Sequence, residues 1–131
     1  MEKISISTKG NNDIIDITSQ VKKVVKKANT KEGVCLVFSS GSTCGLTMIE
    51  NESGLVRDFK NFLYKLVPVE GDYEHNKIDD NGHAHLLSSL FRPSLSLPVI
   101  NGDLVLGQWQ QIVFIDFDNR PRKREIIVLV K

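Results

Sequence analysis

The chain predicts a single α+β domain built on antiparallel sheet, a sandwich-like core with about three helices. Three observations carry this. Strand-like segments outnumber helical ones along the sequence. Four of them, at 94–100, 103–106, 109–117 and 123–130, follow one another without an intervening helix, which disfavours parallel βαβ winding. The helical segments are few, amphipathic and confined to residues before 93.

The elements follow in order. "KISIST" and "DIIDIT" alternate with period two and read as strands, and "KGNN" between them carries hairpin chemistry. Thr18 or Ser19 can cap the next helix. There Val21, Val24, Val25 and Ala28 form one face and Lys22, Lys23, Lys26 and Lys27 the other. The lysines read as a solvated face in preference to an anion patch. Residues 33–39 have the pattern of a buried strand; "GSTCG" interrupts it and "LTMIE" resumes the extended pattern. Leu55, Phe59, Phe62, Leu63 and Leu66 share a face of a helix from about 52 to 66, ended by Pro68. Residues 70–82 form a polar loop long enough to suggest function. A short helix begins near "GHAHLLSSL" and stops before Pro93, and "DNRPRK" turns between the last two strands.

A length of 131 residues fits one domain, 1–131, with 40% hydrophobic and 25% charged residues. A formal net charge of +1 gives no global attraction to nucleic acid or anionic membrane. No apolar run has the length of a secretory signal or of a membrane span. The expected location is cytoplasmic, with neither a nucleic-acid nor a membrane partner. Cys35, in an apolar run, and Cys44 read as free thiols of a reducing compartment in preference to a disulfide.

All three histidines, His75, His83 and His85, fall within eleven residues, beside Glu74, Asp79 and Asp80. Imidazoles of this number suit Zn²⁺ or a similar ion, and equally a metal-free acid/base site. Helical phase limits the first idea: residues i and i+2 point about 200° apart. His83 and His85 can share a ligand only at the mouth of a helix. The bland alternative is a polar loop in which Asp80 or Asn81 caps that helix.

"SSGSTCG" places Ser42 and Thr43 in a glycine-flanked turn whose N–H groups could bind an anion, or which is simply a turn. Glu50 and Glu52 could hold Mg²⁺ or supply a base; one of them could instead cap the following helix. Arg122 and Arg124 share a strand face, where they could grip phosphate or sit at a solvated hairpin tip. Asp116, between apolar neighbours, could pair with one of these cations inside the fold.

Taken together, "SSGSTCGLTMIENESGLVRDF", "DDNGHAHLLSSL", "RPSLSLPV" and "LGQWQQIVFIDFDNRPRKR" resemble the YjbQ family, in the branch common in archaea. The resemblance implies a compact α+β fold, a homotrimer and no organic cofactor. It also implies secondary thiamine-phosphate synthase activity: hydroxymethylpyrimidine diphosphate is joined to thiazole phosphate with release of pyrophosphate. That activity is regarded as weak in the family. On the matching positions, His83, His85, Asp80 and Glu50 would be catalytic, and His75, His83 and His85 would hold any metal. Ser42, Thr43, Trp109, Gln110, Arg122 and Arg124 would bind a small phosphorylated substrate. A metal-dependent hydrolase and a non-catalytic phosphometabolite-binding module are the alternatives. Two positions depart from the pattern: Gln108, where Thr is usual and a pocket wall would change, and Arg92, where Gly is usual. Arg92 suggests that the chain leaves the preceding helix differently here.

Overall fold

Each strand's burial follows from which layers it lies between. The computed structural model describes residues 1–131. Its strands are β1 (Glu2–Thr8), β2 (Asp13–Asp16), β3 (Glu32–Ser39), β4 (Cys44–Ile49), β5 (Ser94–Ile100), β6 (Asp103–Leu104), β7 (Gln111–Asp116) and β8 (Arg122–Val130). The helices are α1 (Thr18–Ala28), α2 (Ser53–Leu66) and α3 (Gly82–Phe91), with a 3-10 turn at Glu74–Lys77. All strand pairings are antiparallel. A five-stranded sheet runs β1-β8-β3-β5-β6 and a three-stranded sheet β2-β7-β4.

The two sheets face each other across the main core, where Cys35, Val37, Ile126 and Val128 meet Leu46, Ile112 and Phe114. α1 closes this core with Val21 and Val25, as its valine spacing predicts. A smaller core lies on the other face of the three-stranded sheet, where Val113, Ile115 and Phe117 pack on Leu63 of α2 and on Ala84 and Leu87 of α3. β7 is therefore covered on both faces, which explains its unbroken apolar run "IVFI" in place of alternation. Cys35 and Cys44 are free and buried, as expected of core thiols.

Several local expectations change. "KGNN" does not close a hairpin: β1 pairs with β8 and β2 with β7, so the chain crosses between sheets. Gly10, Asn11 and Asn12 all take positive φ, which turns the chain from one layer to the other. Gly10 is required there, because a Cβ would lie 2.6 Å from the Asp118 carbonyl oxygen. "DNRPRK" likewise carries the chain from β7 in one sheet to β8 in the other. Neither Thr18 nor Ser19 caps α1; Asp16 Oδ1 accepts from the Thr18 N–H at 2.8 Å, and Ile17 holds the cap position. On α2 only Leu63 is buried, while Phe62 and Leu66 are about half exposed at 53% and 48%.

Arg92 keeps the positive φ at which glycine is usual (φ 65°, ψ 158°), so the chain leaves α3 in that geometry with an arginine. Its carbonyl accepts from the Leu46 N–H and the Pro93 carbonyl from the Ser39 N–H, which ties the turn to β4 and β3.

Candidate functional site

The polar segment after α2 folds back on the start of α3. Asn76 Oδ1 accepts the Gly82 N–H at 2.9 Å and so caps α3 from outside it. Gly82 allows this approach, since a Cβ would meet Asn76 Oδ1 and Tyr73 Cβ at 2.8 Å. The result is an open cavity of about 510 Å³, lined by Asp72, Tyr73, Glu74, His75, Gly82, His85 and Leu86. That volume is in the range that holds small metabolites. His75 and His85 stand edge to face, with ring centroids 4.6 Å apart.

His83 goes elsewhere. α3 is already regular at this position, and the roughly 200° between i and i+2 turns His83 away from His85. It is 2% exposed, and its Nδ1 has no hydrogen-bond partner. Burial pushes its imidazole below the ordinary value, against the opposing pull of the Phe117 backbone and the Asp118 carboxylate. The three-histidine ligand set drawn from the sequence is therefore not assembled, and no three His, Cys, Asp or Glu side chains group so as to hold a metal ion.

Behind the cavity lies a buried polar network. Asp116 is fully buried and takes two hydrogen bonds from Arg124, at 2.9 Å from Nε and 2.8 Å from Nη2, and one from Thr8 Oγ1 at 2.6 Å. Asp118, 1% exposed, accepts from Arg122 Nε at 3.0 Å, Thr43 Oγ1 at 3.2 Å, Asn81 Nδ2 at 3.3 Å and the Asn119 N–H at 2.8 Å. Burial alone would raise its pKa. The Asn119 N–H, Arg122 and Asn81 overcome that and hold it below the ordinary carboxylate value. Each buried acid thus has its own arginine, and Thr43 links the two by accepting from Arg124 Nη2 at 2.9 Å. The pairing inferred for Asp116 is met by Arg124. Asp118 escaped notice in the sequence, although its signal is there: acids at 116 and 118 match arginines at 122 and 124 in the same period of two.

The other sequence candidates scatter. Ser42 is exposed. Asp80 pairs at the surface with Arg120 at 2.9 Å and lines no part of the histidine cavity. Glu52 is the cap of α2, accepting from the Gly54 and Leu55 N–H groups. Glu50 follows Ile49, which lies opposite Gln111, at the far end of the three-stranded sheet from the Cys44–Asp116 pair. Six residues of strand put about 20 Å between those ends. Trp109, 64% exposed, and Gln110, which accepts the Gly107 N–H, belong to the Glu50 end. Gln108 is exposed in the same turn and lines no part of the histidine cavity. Within one chain, the candidates therefore fall into two groups.

A two-sheet α+β domain with a histidine pair beside a buried acid–arginine network defines the class of protein. Residues 2–131 match the family model described as UPF0047 protein YjbQ-like. The chain is 40% identical to a UPF0047 protein of Archaeoglobus fulgidus over 126 residues, covering 96% of this chain and 97% of that one. It is also 40% identical to a UPF0047 protein of Methanothermobacter thermautotrophicus, covering 98% and 90%. Among solved structures it resembles a YbjQ-like protein of unknown function from Sulfolobus solfataricus, with a TM-score of 0.95 and 35% identity over 98% and 94% of the two chains. An uncharacterised YjbQ/UPF0047 protein from Clostridium acetobutylicum gives a TM-score of 0.92 at 35% identity over the whole of both. The chain belongs to the YjbQ/UPF0047 family.

Proposed function

We propose that the His75–His85 cavity binds a small phosphorylated metabolite and performs acid/base chemistry on it. The carrying observation is the contact of two imidazoles at the wall of a cavity of about 510 Å³. Two adjoining imidazoles bring ring nitrogens able to donate and to accept a proton to one wall, which suits chemistry in which a leaving phosphate oxygen must be given a proton. The reaction favoured by the family resemblance is condensation of hydroxymethylpyrimidine diphosphate with thiazole phosphate. A bond forms from the thiazole nitrogen to the pyrimidine methylene carbon, the carbon–oxygen bond breaks, and pyrophosphate leaves with the electron pair.

Supporting charge is close but committed: Arg122 and Arg124 already face Asp118 and Asp116. A substrate phosphate would draw on the guanidinium N–H groups left over from those pairs. Two imidazoles are fewer than the three protein donors of a catalytic zinc site, and Glu50 and Glu52 form no joint site. One chain thus assembles a donor set for neither Zn²⁺ nor Mg²⁺.

A homotrimer is part of the proposal. On β3, Val34, Leu36 and Phe38 point away from both cores, and Leu36 and Phe38 pair with Leu129 and Ile127 of β8. No helix covers this outer face of the five-stranded sheet, which supports self-association; the number three comes from the family resemblance. Assembly is also the way the Glu50–Trp109 end of one chain could meet the His75–His85 cavity of another.

The test is pyrophosphate release from the two substrates by the wild-type protein and by His75→Ala and His85→Ala. Loss of one acid/base group is expected to slow turnover by about 10²–10⁴-fold, with the fold unchanged by circular dichroism. Wild-type turnover that survives both substitutions would reject the assignment. No turnover by the wild type would reject the reaction.

A further inference from the structure

Asn81 occupies the N-cap position of α3, where an asparagine side chain ordinarily accepts a helix N–H, yet it makes no such bond. Asn76 has taken over that duty at Gly82. Asn81 is 4% exposed, and its amide spans two other groups. Nδ2 donates to Asp118 Oδ1 at 3.3 Å, and Oδ1 lies 3.2 Å from His75 Nε2.

The polarity of this chain has one solution. A carboxylate held by Arg122 at 2.8 Å can only accept, so the amide NH₂ must face Asp118. Turning the amide over would set its oxygen against the carboxylate inside a buried network. The amide oxygen consequently faces His75, and it too can only accept. His75 must then carry a proton on Nε2, which leaves the lone pair of the neutral ring on Nδ1.

We propose that Asp118 and Asn81 are positioning residues that fix the tautomer of His75, so that Nδ1 is its proton acceptor. This deepens the reading of the His75–His85 cavity as an acid/base site and rests on it. None of the hydrogen-bond partners of Asp118 lines the cavity, and the link to His75 runs through Asn81. Its buried ion pair with Arg122 holds the first link of the relay in place, and the diversion of Asn81 from capping is its structural signature.

The test is long-range ¹H–¹⁵N correlation of the imidazoles in the ¹⁵N-labelled full chain at about pH 8, above the ordinary imidazole value. The wild type should show His75 in the Nε2–H form. Asp118→Asn places an amide NH₂ where a carboxylate oxygen accepted, so Asn81 should turn over and drive most of His75 to the Nδ1–H form. Asn81→Leu leaves the Asp118–Arg122 pair intact, and should let both forms appear if Asp118→Asn fails to fold. An Nδ1–H form in the wild type overturns the proposal, as does an unchanged His75 spectrum in a folded variant. These spectra need no substrate, so absence of turnover would reject the enzymatic reading while leaving the relay standing. With turnover present, Asn81→Leu should lower kcat more than it raises KM.

Discussion

His83 and His85 are two residues apart and share a name, a helix and a sequence motif, yet they meet opposite environments. His85 lines the cavity, while His83 is on the buried side of α3 with an unpartnered Nδ1. The sequence made the three histidines legible as a cluster, and helical phase already restricted where two of them could converge. The helix start near Gly82 was legible as well, but not that Asn76, six residues upstream, supplies its cap and frees Asn81 for other partners. A pH dependence follows for His83. Its folded pKa lies below the unfolded one, so below an ordinary value of about 6.5 the unfolded chain binds more protons. Stability is complete above that value and falls as pH drops toward the folded pKa. Thermal melting of the wild type between pH 7 and 5 should show this loss, and His83→Gln should show a shallower one. A slope that His83→Gln leaves unchanged would place the titrating group elsewhere.

The elements themselves were readable, because hydrophobic period marks strand and helix directly. Their pairing was not. "KGNN" and "DNRPRK" have the composition of hairpin turns, but each links strands of different sheets, and the interactions that decide this are between distant residues. The Gly10 turn lies against the Asp118 and Arg120 backbones, over a hundred positions away in sequence. The exit from α3 is the clearest case of an element holding its geometry against its sequence. Arg92 sits at φ 65° and ψ 158°, a region that is nearly glycine-only, because hydrogen bonds from Leu46 and to the next residue pin the turn. Such strain costs about 1–3 kcal/mol. Arg92→Gly relieves it, at an entropic cost of about 0.5–1 kcal/mol in the unfolded chain. A net gain of about 1 kcal/mol is expected in chemical denaturation, and a loss would show that Arg92 makes a compensating contact.

At the scale of the whole molecule, two features point outward from a chain whose two cores are otherwise closed. One is the outer face of the five-stranded sheet, where Phe38 opposes Ile127 and Leu36 opposes Leu129. The other is the distribution of the site candidates between two ends of the three-stranded sheet. The sequence could name Glu50, Trp109 and Gln110 beside the histidines, because a linear motif carries no distance. The roughly 20 Å between those ends appears only once β4 and β7 are paired. Light scattering at micromolar concentration should give three times the 14.7 kDa chain mass, and a 14.7 kDa species would contradict the trimer.

A phosphorylated ligand acting at the His75–His85 cavity, as proposed, must perturb the rings that line it. The most direct measurement is a titration of the ¹⁵N-labelled protein with hydroxymethylpyrimidine diphosphate, followed at the three imidazoles and at the Trp109 indole. Saturable shifts are expected at His75 and His85, with the buried His83 moving least. Shifts at Trp109 would appear only in the assembled protein. Saturation at Trp109 with His75 and His85 unmoved, or no saturable shift at any of the four rings, would contradict the proposal.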